Sequence, residues 1–134
     1  VSSEQADNNE SAEKAIDGDE QTNWITQWRP NALEHPHFIS INLGEELLLK
    51  GFTYTPRKVI INGTIKEYIF YVSLDGENWK EVIHSKFENI KNNPVKQHVR
   101  FDKEVRARYI KLKSLREINN NPWTSAGEIG VITK

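Results

Sequence analysis

The chain has 134 residues, and its 28% of charged residues nearly cancel to a formal net charge of −1. That length suits a single domain, residues 1–134, with a core of its own, and the balance argues against nucleic-acid binders and polybasic membrane binders. The absence of cysteine excludes disulfides, thiolate chemistry and Cys-based zinc sites, and no apolar run approaches membrane-spanning length.

Residues 1–10 are polar, with no signal peptide in view, and read as a flexible or edge segment. Residues 11–16 fit one helical turn capped by Ser11. Next, residues 17–22 hold the carboxylates of Asp17 and Asp19, the Thr22 hydroxyl and Gly18. Oxygen-rich loops of this kind hold hard cations such as calcium. The spacing is not that of an EF-hand, and on these residues alone an acidic surface turn explains it as well. Residues 25–37 show no period and contain Pro30 and Pro36, so they form a long loop.

Residues 38–43 alternate, with Ile39, Ile41 and Leu43 on one face and Ser40 and Asn42 on the other, the pattern of a half-buried strand. Residues 47–54 form a second strand, bent or bulged at Gly51. Asn62-Gly63 and Asp75-Gly76 are tight-turn signals that bracket a strand over 67–73. Further strands fall at 78–83, 95–101, 108–113 and 129–132, with polar loops at 86–94 and 117–124. Short strands between turn residues make an all-β chain, an antiparallel β-sandwich. Trp24 and Trp79 lie in apolar contexts that suit a core, whereas Trp28 suits either core or ligand stacking.

Six segments in order carry a resemblance. They are Ala15-Ile16-Asp17-Gly18-Asp19 with Thr22 and Trp24, Ile39-Ser40-Ile41-Asn42-Leu43-Gly44, and Gly51-Phe52-Thr53-Tyr54-Thr55-Pro56-Arg57. After them come Tyr71-Val72-Ser73-Leu74-Asp75-Gly76-Glu77-Asn78-Trp79, Ala107-Arg108-Tyr109-Ile110-Lys111-Leu112 and Ala126-Gly127-Glu128-Ile129. Together they resemble the discoidin-type (F5/8 type C) domain, and within that group the bacterial family 32 carbohydrate-binding modules. The resemblance implies a galactose-binding-domain-like jelly roll. It also implies a structural calcium ion held by the carboxylates of Asp17, Asp19 and Glu128, by Thr22, and by the carbonyls of Lys14 and Gly127. One ion would then clip the first loop to the last strand, because such a site exists only in the folded state.

For the ligand, the loops hold the tools of sugar recognition: rings that stack on a pyranose, and Arg, Asn and neutral His that bridge hydroxyls. The resemblance maps galactose- or N-acetylgalactosamine-binding residues onto His37, Arg57, Asn62 and Trp123, with Trp28 and His35 as further candidates. Each has a plainer reading. Arg57 can pair with a carboxylate, Asn62 can serve only its turn, and His35 beside His37 with Glu34 hints at zinc but lacks a third ligand. Where relatives carry a His, this chain has Ile25, which points to altered specificity.

No nucleophile motif, phosphate loop or free pair of facing carboxylates stands out, so the chain reads as a non-catalytic module. The expected role is to bind galactose-type glycans and target a parent secreted enzyme carried in cis, as a monomeric, extracellular or cell-surface bacterial module. The rival is a discoidin-type domain that docks a lipid surface or a protein partner, with Trp28 and Trp123 as apolar spikes amid Arg57, Lys58 and Arg116.

Overall fold

The computed structural model describes residues 1–58 and 61–134. In chain order the strands are β1 (Trp24–Ile25), β2 (His37–Thr55), β3 (Ile65–Ser73), β4 (Lys80–Lys86), β5 (Gln97–Glu117), β6 (Ser125–Ala126) and β7 (Glu128–Ile132). All pairings are antiparallel. Five strands pair in the order β4-β3-β5-β2-β7, and β1 and β6 form a separate short pair. This is the expected β-sandwich.

Two pairs of expected strands are each one long element. β2 contains both 38–43 and 47–54, and β5 contains 108–113 and all but the first two residues of the expected 95–101. Their register slips between Asn42 and Leu47 and again between Leu49 and Gly51. At Gly51 a Cβ would sit 2.1 Å from the Val99 carbonyl oxygen, so only glycine lets the strands approach there. The second half of β2 thereby folds back over β3: Phe52 stacks on Phe70 with centroids 4.3 Å apart and lies edge-on to Tyr68. Leu49, Tyr54, Ile65, Ile110 and Leu112 complete this apolar centre, and its burial is the main stabilising term.

Four local expectations are corrected. Residues 1–10 are tied down, not loose: Ser2 N–H donates to the Phe38 carbonyl, residues Gln5 and Glu10 bridge, and both of those side chains are buried. The polar loop after β4 buries Phe87 and Ile90. Trp24 is fully buried as expected, but Trp79 lies half-buried on the outer sheet face beneath the Lys111 ammonium, 4.2 Å from its ring centroid. The turn at residues 11–16 is a 3-10 helix, Ala12–Ala15, and Ser11 precedes it without a side-chain cap bond.

Because β2 and β5 each begin and end at the same side of the sandwich, Asn8, Glu10, Ile25, Trp28, Arg57, Asn62 and Trp123 gather there.

Candidate sugar pocket and oxygen-rich loop

At that end a pocket of about 320 Å³ is lined by Asn8, Glu10, Ile25, Trp28, Arg57, Asn62 and Trp123. Four of the six ligand candidates, Trp28, Arg57, Asn62 and Trp123, are thus brought together from three loops. The volume lies at the low end for small-molecule sites. The lining combines apolar groups (Ile25 and the two indoles) with polar ones (Asn8, Glu10, Arg57 and Asn62).

Glu10 organises the polar groups. It is 8% exposed. Oε1 accepts from Asn8 Nδ2 at 2.9 Å and from Trp28 Nε1 at 3.1 Å, while Oε2 accepts from Arg57 Nη2 at 3.2 Å. The Arg57–Glu10 ion pair is therefore shielded from solvent, and it fixes a guanidinium that still has N–H donors to offer. Sequence reasoning missed Glu10, since its partners lie 18 and 47 residues away along the chain. Trp28 is steadied further: its backbone N–H donates to Gln5 Oε1, and the Arg29 guanidinium lies 4.8 Å from its ring centroid. Neither Trp28 nor Trp123 projects as a spike, for both are half-buried.

His37 is a correction. It is 1% exposed, Nε2 donates to the Pro122 carbonyl at 2.6 Å, and Nδ1 lies 3.5 Å from the Ser2 hydroxyl. Its nitrogens serve the fold and do not reach the pocket. The period-two pattern held the signal, since His37 falls in phase with Ile39 and Ile41 on the inner face. His35 also stands outside the pocket lining: Nε2 is 2.9 Å from Thr124 Oγ1, and its ring meets His37 edge-on at 4.6 Å. Burial, with the neighbouring His37, lowers its pKa from the ordinary 6.5 to about 4, so the ring is neutral at pH 7. The two histidines fasten the chain on either side of Trp123.

Asn62 is carried by the expected turn, in which Gly63 has φ +87°, the left-handed region natural to glycine. Ser125 holds that turn: its hydroxyl donates to the Asn62 carbonyl at 2.8 Å and its N–H to the Gly63 carbonyl at 2.8 Å.

The oxygen-rich loop lies against the start of β7. Gly18 N–H donates to Glu128 Oε1 at 3.0 Å, and the Thr22 hydroxyl donates to Asp17 Oδ2 at 2.6 Å. Lys14 belongs to the 3-10 helix that contacts β7. The Asp19 carboxylate differs from expectation: it accepts the Gln21 N–H at 2.9 Å, turned onto its own loop. Among the described residues no three acidic or His side chains form a metal-holding group. Any ion here would lean on Asp17, Glu128, Thr22 and main-chain carbonyls, an all-oxygen set suited to calcium. Burial and then the facing Asp17 charge raise the Glu128 pKa, the strain that a cation between two carboxylates relieves. Gly127 is required by contact: a Cβ would lie 2.9 Å from the Pro56 carbonyl oxygen.

The F5/8 type C domain model matches residues 1–129. A sialidase of Micromonospora viridifaciens is 32% identical over 121 residues, covering 90% of this chain but only 18% of its own length. The chain thus spans about a fifth of the length of the curated relatives it matches. Among solved structures, CpGH89CBM32-5 from Clostridium perfringens, in complex with GalNAc-β-1,3-galactose, superposes with a TM-score of 0.81 at 31% identity, covering 90% of this chain and 82% of that one. The family 32 module of C. perfringens NanJ, in complex with galactose, gives a TM-score of 0.81 at 28% identity, with coverages of 96% and 88%. With its sandwich, its pocket between loops and a family match along nearly its whole length, the chain belongs to the F5/8 type C domain family.

Proposed function

We propose that the chain is a non-catalytic carbohydrate-binding module that takes one galactose-type sugar, galactose or N-acetylgalactosamine, in the pocket of Trp28, Arg57, Asn62 and Trp123. The observation that carries this reading is the amphipathic pocket itself. Two indoles and Ile25 share the lining of about 320 Å³ with an Arg–Glu pair and two Asn residues. A pyranose of the galacto series has one apolar face and a cluster of hydroxyls on the other side. Its rings of C–H groups suit the indoles, and its hydroxyls suit the forked donors of Arg57 and the amide of Asn62. The galactose and GalNAc-β-1,3-galactose ligands of the two C. perfringens modules support the choice of sugar.

Binding should be weak, on the order of 0.1–1 mM, because few atoms are buried and each polar contact replaces one with water. The proposed seat of a structural calcium ion lies between the loop of Asp17 and Thr22 on one side and Glu128 at the start of β7 on the other, with the carbonyls of Lys14 and Gly127; Asp19 joins it only by releasing the Gln21 N–H. The short span of the chain within its multidomain relatives supports an ancillary role beside a secreted glycan-active enzyme. A glycan array followed by calorimetry on the best hit, repeated with Trp123→Ala and Arg57→Ala, tests the reading. Millimolar or tighter galactoside binding lost in both variants supports it; unchanged binding in either refutes the assigned pocket.

A further inference from the structure

Glu117 has no part in the pocket lining, yet its carboxylate sits beneath the pocket at 1% exposure. Four N–H groups from two different loops converge on it. Gly63 N–H donates to Oε2 at 3.0 Å, from the turn that carries Asn62. Asn119 N–H and Asn121 N–H donate to Oε1 at 2.6 and 3.0 Å, and Asn121 Nδ2 donates to Oε2 at 3.1 Å, all from the loop that carries Trp123. No salt bridge among the described residues reaches this carboxylate. Its charge is met by hydrogen-bond donors alone, so those donors cannot leave without stranding a buried anion.

The backbone is wound to suit. Asn120 adopts φ +60°, a left-handed turn that curls residues 119–121 around the side chain two to four positions earlier. Ile118 N–H donates to the Thr64 carbonyl at 3.0 Å, a second tie between the same two loops. The stretch reads in sequence only as an Asn-rich loop. In the fold it is an anion cradle supplied by the chain's own glutamate.

We infer that Glu117 is a positioning residue for the sugar site, a buried carboxylate that sets the spacing of Asn62 and Trp123. This rests on the proposed sugar pocket, because those two side chains matter only if they meet a ligand. A sugar must find its stacking ring and its hydroxyl partners within a fraction of an ångström of the right separation. The clamp delivers that separation without touching the ligand.

The test compares wild type with Glu117→Gln and with the milder Asn121→Ala, which removes one donor and leaves the carboxylate in place. Glutamine keeps the shape but turns two N–H donors toward groups that are themselves donors. Three readouts are needed: calorimetric affinity for methyl β-galactoside well below each variant's Tm, thermal melting, and amide hydrogen exchange by mass spectrometry. The expected result for Glu117→Gln is an affinity loss of about tenfold or more, the equivalent of one charge-assisted hydrogen bond. Faster exchange is expected in residues 61–64 and 118–124 together, with exchange in the β3–β4 sheet unchanged. Asn121→Ala should move the same readouts in the same direction by less. Wild-type affinity in a folded Glu117→Gln protein, or faster exchange in one loop without the other, overturns the clamp. If Glu117→Gln fails to fold, Asn121→Ala with unchanged affinity and exchange overturns it. If wild type binds no galactoside, the sugar reading fails on its own, and joint exchange of the two loops still decides whether Glu117 couples them.

Discussion

Replacing Glu10 with Gln isolates the element on which the polar groups of the pocket depend. The carboxylate, 8% exposed, accepts from Asn8, Trp28 and Arg57 at 2.9, 3.1 and 3.2 Å. Gln retains the volume but keeps one acceptor oxygen, so at least one of those donors must face an NH2 group. A hydrogen bond to a charged group contributes about 1.5–3 kcal/mol, and Arg57 also loses a shielded counter-charge. A net cost of about 2 kcal/mol corresponds to a fall in Tm of about 7 °C at this chain length. Sugar binding should weaken about tenfold, because the guanidinium is no longer held in place. Differential scanning calorimetry and galactoside titration on the same samples read both effects. A Glu10→Gln protein with wild-type Tm and wild-type affinity would refute the role assigned to this residue.

Other consequences are equally direct. Calcium at a hundredfold excess over its Kd should add about 2.7 kcal/mol of stability, or about 10 °C in Tm, which EDTA removes and Glu128→Gln abolishes; equal melting with and without calcium contradicts the proposed ion. His35, whose folded pKa is about 4 against an ordinary 6.5, is a depressed base. Its stabilising contribution is complete above pH 6.5 and is lost as the pH falls toward 4, so a His35→Gln protein should show a flatter stability profile across that window. A profile as steep as wild type would remove His35 from the explanation. Gly127→Ala places a Cβ 2.9 Å from the Pro56 carbonyl oxygen and 3.2 Å from that of Thr55. It should cost about 1–3 kcal/mol on thermal melting, and an unchanged Tm would mean that the backbone yields there freely.

The alternating residues of 38–43 and 108–113 made the sandwich legible, because burial of one sheet face imprints period two on the sequence. Asn62-Gly63 and the bend at Gly51 were legible for the same kind of local reason, since backbone geometry at those points admits few residue types. Arg57, Asn62 and Trp123 came as ligand candidates from the family resemblance, and the structure gathers them with Trp28 in one pocket. His37 was assigned to the ligand although one more step of its own strand's alternation turns it inward, beside Ile39. Glu10 and Glu117 left no local mark. A buried carboxylate is defined by donors that arrive from elsewhere in the chain, and spacing along the sequence does not record them. Trp79 looked like core because its neighbours are apolar, yet it covers the outer sheet face with Lys111 over its ring.

Titration of galactose into isotope-labelled protein, followed by indole and amide NMR shifts, addresses the sugar site most directly. The account predicts saturable shifts of the Trp28 and Trp123 indole N–H signals and of the Asn8 and Asn62 amides, with Trp79 unmoved at the far face. Saturable shifts centred on Trp79 and Lys111, with Trp28 and Trp123 silent, would contradict it.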